Sequence, residues 1–359
     1  MVLDFHDLPL WLNLAVFAAT AAAVWFTGTR LTRQVEAIAQ RTGAGRAIAG
    51  LLLLGGVVSL PELSTAVAAA SAGNARFAVN TLLGGIAATM VVIAVIDAVV
   101  REPPLSTDIT HPVVLLQGTL SVLFLVVTAA GIVVGDLGIL GAGVWTVALL
   151  ALYLFFANLV RHYEWHRAWI PEEDVRRRGT RAARADAAPG PEQRSRPPRR
   201  DRRPLRGLIL ATAAVALATA AAGFLLSRIG DAIAGQTGLG ASFTGLLLGG
   251  IVTSLPEAST VHAAVRIRRF ELAFSDAYGS NLFSTMAIFA ADLAYPGGPI
   301  LNEVGRFGLF AVLLGAAVSA IFLAGCLERR NRSILGMGLD SLIVLCVYVG
   351  GLVLLYHLR

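Results

Sequence analysis

The chain has 359 residues, is 56% hydrophobic and carries only 14% charged residues; with a mean hydropathy of +0.71 it does not read as an ordinary soluble domain. Only spanning helices or closed barrels are open to such a chain, and apolar runs of roughly 20 residues argue for helices over short alternating strands. The formal charge of +6 does not argue for nucleic acid, because the arginines sit mostly in a few loops between apolar runs and report topology instead.

From the amino end, Asp4 and Asp7 flank the first apolar run with no basic residue before it. That run lacks the n-region of a cleaved signal peptide and is expected to persist as a span. Five spans are predicted in the first half, at about 10–27, 47–70, 77–100, 113–133 and 137–160. The second contains SLPELST (Ser59 to Thr65), directly after an apolar run ending in Gly55-Gly56. Ionisable groups inside spans face the protein interior or a wet cavity. Proline cannot donate to the carbonyl one turn back, so the helix should open around Val57, and irregular backbone at that depth survives only where it lines a cavity. Asn74 and Asn80 fall at a helix connection and at the start of the third span.

Residues 161–206 are rich in arginine, proline and alanine and poor in large apolar side chains after Ile170. Such a segment cannot bury enough surface to fold alone. It reads as a solvated cytoplasmic linker held near anionic lipid, with a regulatory or nucleic-acid-binding arm as the less favoured alternative. Trp165 and Trp169 suit an interfacial anchor beside the fifth span.

Five more spans follow, at about 207–226, 243–265, 272–293, 307–323 and 334–355. The seventh holds SLPEAST (Ser254 to Thr260), again after Gly249-Gly250, with its break expected around Val252. Cys326 and Cys346 read as inert small hydrophobes. Asp340 in the last span has no counterpart in the fifth and suits interior polar packing over a site role. His262 could shuttle protons, but a single histidine near a span's end is more often a satisfied surface residue.

Arginine placement sets the orientation. With the amino end outside, the inner loops hold Arg30, Arg33, Arg41 and Arg46, then Arg101, then Arg266, Arg268 and Arg269, then Arg329, Arg330 and Arg332; the outer loops and tail keep only Arg76, Arg228, Arg306 and Arg359. The expectation is ten spans with both termini outside.

The two motifs extend into a repeat. Gly84 follows Glu62 by 22 residues, as Gly279 follows Glu257; Thr89 and Ser284 stand at offset 27, and Asp97 and Asp292 at offset 35. Each half has five spans, an odd number, so the second enters the membrane the other way up. The fold class is therefore an all-α membrane protein of ten transmembrane helices in two inverted five-helix repeats: 1–160, with its motif at about 55–97, and 207–359, with its motif at about 249–292. In transporters of this construction the substrate site lies near the midplane at the repeat interface. Converging carboxylates with hydroxyls and freed carbonyls form an all-oxygen site, suited to a hard cation such as calcium.

These residues resemble the cation/calcium exchanger superfamily, which includes the sodium/calcium exchangers. Its two alpha-repeats each carry a Ser-Leu-Pro-Glu-like stretch followed by Gly-Ser-Asn, and the second half here matches with Thr253, Ser254, Pro256 and Glu257, then Gly279, Ser280 and Asn281. The first keeps Ser59, Pro61, Glu62 and Gly84 but places Val58 opposite Thr253, Gly85 opposite Ser280 and Ile86 opposite Asn281. Where the family usually has Asn or Asp at offset 27, this chain has Thr89 and Ser284. The resemblance implies a secondary antiporter whose first and sixth spans slide as a pair to give alternating access.

On this reading Glu62 and Glu257 bind a dehydrated divalent cation, helped by Ser59, Thr253, Ser254, Thr89, Ser280, Ser284 and carbonyls near Val57 and Val252. A desolvated carboxylate pair does not easily stay doubly ionised when empty, so sodium or protons must neutralise it in exchange. Both couplings stay open at this point, because the first repeat has lost several oxygens. Asp97 and Asp292 are candidate vestibule carboxylates, with helix-end caps an equally weighted alternative. Calcium and sodium, or protons, are expected as transported ions, with no permanently bound cofactor. The expected partners are those cations and membrane lipid, with no nucleic acid and no obligatory protein. The expected setting is a bacterial-type inner membrane, multi-pass, with the linker cytoplasmic. A membrane enzyme is disfavoured by the lack of paired protease-type aspartates, of a nucleophile with a base in reach and of a nucleotide loop. A non-transporting scaffold has no reason to bury two acids in register.

Overall fold

The computed structural model describes residues 5–42, 55–100, 104–109, 111–139, 141–163, 204–236, 254–328, 333–334 and 336–358. Ten helices of at least 12 residues lie among them: α1 (Leu10–Thr42), α2 (Leu60–Ser71), α3 (Ala75–Val100), α4 (Pro112–Val134), α5 (Val144–Tyr163), α6 (Leu205–Gln236), α7 (Leu255–Arg266), α8 (Phe270–Ala294), α9 (Gly305–Glu328) and α10 (Leu339–Leu358). Two antiparallel hairpins, β1 (Gly138–Ile139) with β2 (Ala142–Gly143) and β3 (Ser333–Ile334) with β4 (Met337–Gly338), precede α5 and α10. Among the described residues, α1, α3, α4, α6, α9 and α10 are long and apolar enough to cross a membrane.

The protein is an all-α membrane protein made of two repeats of five helices, and the elements of the first return 195 residues later in the second. Packing follows the same symmetry. α1 lies along α6, α3 against α8, and α4 against α9. Other contacts are exchanged between halves: α1 packs on α7 while α6 packs on α2, and α3 packs on α10 while α8 packs on α5.

The first and sixth helices are longer than their predicted spans. At about 1.5 Å per residue a 33-residue α1 is roughly 50 Å long, against about 30 Å of hydrocarbon. Val24, Gly28, Leu31, Val35 and Ala39 form a buried stripe at helical spacing that carries the helix on past residue 27. Arg30, Arg33 and Arg41 therefore lie on this extension of α1 and not in a loop, and Arg228 lies on the same overrun of α6.

Each motif proline sits in the first turn of its short helix, where the missing N–H is not needed. The first break lies slightly later than Val57. The backbone is helical over Gly56–Val58, turns at Ser59 (φ −86°, ψ 3°) and resumes at Leu60. Pro61 still leaves the Val57 carbonyl without its usual donor one turn on. Ser254 opens α7 in the same way (φ −85°, ψ 0°), while Val252 and Thr253 lie outside the described residues.

α8 is the interior helix. Its buried residues include Ser275, Asp276, Ser280, Asn281, Ser284, Thr285 and Asp292. Polar groups turned into the bundle lower its hydropathy, which is why this 25-residue helix is not among the six long and apolar enough to cross a membrane.

Asp97 and Asp292 do not line open mouths. Both are buried, and their oxygens are occupied. Asp97 accepts from Leu105 N (3.0 Å), Gly338 N (2.7 Å) and Ser341 Oγ (2.7 Å). Asp292 accepts from Ile300 N (2.7 Å), Gly143 N (2.6 Å) and Thr146 Oγ1. Every donor has its counterpart 195 residues away. The vestibule expectation gives way to a cap that ties each acid to the hairpin of the opposite half. Hydropathy could not reveal this, because the partners of Asp97 at Gly338 and Ser341 are far away in sequence.

Candidate functional site

The two motif helices meet beneath α6. A Cβ placed on Gly223 would stand 2.6 Å from Pro61 Cγ and 3.5 Å from Pro256 Cγ, so the first turns of α2 and α7 converge under one point of that helix. At the equivalent place on α1, a Cβ on Gly28 would meet Ser259 Cβ at 3.0 Å and the Pro256 carbonyl at 3.5 Å. Lacking side chains, Gly28 and Gly223 let the first and sixth helices lie directly on the motif turns.

Glu62 and Glu257 point inward from these turns and are 3% and 2% exposed. Oε2 of each has no hydrogen-bond partner among the described residues. A buried carboxylate oxygen without a partner is costly, and a native structure keeps one for a reason.

Hydroxyls join the motifs. Ser59 stands at the helix N-cap position but makes no capping bond; its Oγ lies 2.6 Å from Ser280 Oγ. Ser280 Oγ in turn donates to Glu257 Oε1 at 3.2 Å. Ser254 likewise does not cap α7, and its buried Oγ has no partner among the described residues. Thr89 is buried on α3 and donates to the Gly85 carbonyl at 2.9 Å, leaving lone pairs available. Ser284 is buried one turn beyond Ser280 on α8. Thr253 lies outside the described residues.

Backbone approach is close here as well. A Cβ on Gly55 would lie 2.6 Å from both the Gly279 carbonyl carbon and Ser280 N, so the chain entering α2 rests against α8 at its Gly-Ser-Asn stretch. Asn281, 1% exposed, has no partner for either amide atom among the described residues. Opposite it, the first repeat is apolar: Ile86 packs in a core with Leu125, Ala129 and Val312, and Val58 is fully buried in another core cluster. Gly85, in place of a serine, faces the Glu62 side chain, with its would-be Cβ 3.9 Å from Glu62 Cγ. The oxygens missing from the first half are thus replaced by packing and by room for Glu62.

Sequence reasoning passed over Asp276 on α8. It is fully buried and accepts a 2.5 Å hydrogen bond from Thr260 Oγ1 of α7. The signal was present, since an acid inside the eighth span stands one turn before Ser280. Comparison of the two halves hid it, because Thr81 holds the equivalent position in α3.

The remaining candidates take structural places. His262 is half-buried with its ring 5.3 Å from that of Trp25 on α1. Asp340 accepts from Ser341 N at 2.8 Å. Cys326 is buried and Cys346 exposed, and both are free thiols. Near the α7–α8 turn, Glu36 of α1 pairs with Arg269 (2.9 Å) and accepts from Gln40 (2.8 Å).

The family profile described as sodium/calcium exchanger protein matches residues 12–160 and 207–357. Among solved structures, the sodium-calcium exchanger NCX_Mj soaked with zero Na+ and Ca2+ superposes with a TM-score of 0.67 at 15% identity, covering 98% of this chain and 100% of that one. NCX_Mj soaked with 2.5 mM Na+ and 0.1 mM Sr2+ gives a TM-score of 0.66 at 14% identity, covering 96% and 99%. A search of curated proteins returned no match.

Proposed function

Because the chain belongs to the sodium/calcium exchanger protein family, we propose that it is a secondary antiporter that exchanges calcium for sodium at a midplane site formed by Glu62 and Glu257. The observation that carries this reading is the pair of buried glutamates, each with an oxygen unpartnered among the described residues, delivered by symmetry-related helix starts and joined through Ser59 and Ser280. Calcium is held by these acids with the hydroxyls of Ser59, Ser254, Thr253, Thr89, Ser280 and Ser284 and the carbonyls beside the two breaks. All are hard oxygen ligands.

The packing of α1 and α6 supports alternating access. Each rests on a motif turn through a glycine, and the two lie along each other, so they can slide as a unit across the site. The glutamate charges make an occupied carrier cheaper to move than an empty one, which couples the two ion flows. NCX_Mj, described as a sodium-calcium exchanger with induced binding-site occlusion, supports this reading by analogy of fold. Residues 1–160 and 207–359 act as the two repeats, with 161–206 as a cytoplasmic linker and both termini outside a bacterial-type inner membrane.

A second reading keeps the fold but couples calcium to protons. The apolar replacements Val58 and Ile86 favour it, since fewer oxygens remain to hold sodium. Calcium-45 uptake into vesicles under an outward sodium gradient, and separately an outward proton gradient, decides between the two. Glu62→Gln and Glu257→Gln should abolish uptake. Uptake under neither gradient, or indifferent to both substitutions, defeats the exchanger reading.

A further inference from the structure

α8 presents Asp276, Ser280 and Ser284 on successive turns of one face. Ser280 reaches Glu257. One turn back, toward the α7–α8 connection that carries Arg266, Arg268 and Arg269, Thr260 reaches Asp276. Thr260 itself lies one turn beyond Glu257 on α7, with its Oγ1 3.0 Å from the Glu257 carbonyl, so its one proton is shared between that carbonyl and the closer Asp276. The two acids thus stand on facing helices about 5 Å apart along the axis.

Asp276 has no exposed surface, and its Oδ1 has no partner among the described residues, as is true of Glu257 Oε2. One neutral hydroxyl is poor compensation for burying a carboxylate. No three His, Cys, Asp or Glu side chains converge on one point among the described residues. Asp276 pairs with Thr260 one turn away from the Ser59–Ser280–Glu257 link that joins the two motifs. The repeat supplies no matching acid on the other side, where Thr81 is tied to its own helix through the Phe77 carbonyl at 2.8 Å.

We propose that Asp276, Thr260 and Glu257 form a second position for calcium, one helical turn from the midplane site and present only toward the arginine-bearing face. This inference rests on the exchanger reading and extends it. A cation entering from that face is held first by Asp276 and Thr260, then passes to Glu257 and on to Glu62. From the opposite face it meets Glu62 and Glu257 directly. Thr32 of α1 donates to the Thr260 carbonyl at 3.3 Å, which ties the position to one of the two sliding helices.

The test is calcium-45 exchange by the full chain in vesicles of known sidedness, with half-saturation measured from each face. Asp276→Asn is expected to raise half-saturation about tenfold from the arginine-bearing face and to leave the other within about twofold, through loss of one near charge. Asp276→Thr, which restores the first repeat's residue type, should do the same. No change from either face, or equal changes from both, overturns the proposal. If the wild type exchanges no calcium, the exchanger reading fails separately, and equilibrium calcium-45 binding to the purified protein decides this inference. Weaker binding in Asp276→Asn then sustains it, and unchanged or absent binding defeats it.

Discussion

Replacing Asp292 by asparagine separates a cap from an ion-attracting mouth. The carboxylate accepts from Ile300 N, Gly143 N and Thr146 Oγ1, all inside the protein. An asparagine keeps one oxygen, which can still serve Ile300. Its amide nitrogen then faces the donors of the β2–α5 corner. The Thr146 hydroxyl can rotate and accept, but the Gly143 N–H cannot. The variant therefore loses one charge-assisted bond and leaves a donor buried without a partner, which together cost about 3 kcal/mol. A fall in melting temperature of about 5 °C or more follows. Scanning fluorimetry of the purified protein measures it, alongside calcium half-saturation from both faces, which should stay within about twofold. A vestibule charge would behave in the opposite way, with unchanged melting and a salt-dependent loss of apparent affinity from one face. That outcome would refute the cap.

Other variants test the close contacts. Gly223→Ala gains about 1 kcal/mol of helix propensity but drives a methyl into the rigid Pro61 ring 2.6 Å away, a clash of about 1–3 kcal/mol; a net loss of stability with slower exchange is expected, and a higher melting temperature would contradict the contact. Gly55→Ala sets its methyl against backbone at Gly279 and Ser280, where nothing can swing aside, so transport should be lost even in whatever protein folds; wild-type uptake would exclude the geometry. Arg269→Ala removes the guanidinium from buried Glu36, which keeps Gln40, and should destabilise by roughly 2 kcal/mol, less than for a fully buried pair because Arg269 is about a third exposed; thermal melts would show it, and Glu36→Gln in the same background should recover part of the loss.

Much of the architecture was legible because lipid constrains the chain so strongly. Runs of apolar residues had to be helices, and an acid beside a proline had to face inward, so Glu62, Glu257 and the repeat stood out before any coordinates. What escaped were contacts that composition does not encode. The overrun of α1 depends on the stripe Leu31, Val35 and Ala39 meeting other helices. The capping of Asp97 depends on a hairpin more than 200 residues downstream. Asp276 escaped because register comparison rewards what the halves share, and this acid belongs to one half only.

The exchange of contacts between halves also sets a timetable for synthesis. When residues 1–160 have left the ribosome, α1 lacks α7, α3 lacks α10, and the Asp97 carboxylate lacks Gly338 and Ser341. The first half must wait in the membrane as an unfinished object, its buried acid held by Leu105 alone of its three donors, until the last hairpin arrives. The two repeats close on each other like a clasp rather than standing side by side as finished units, and cutting the chain between them would leave two open parts that find stability only together.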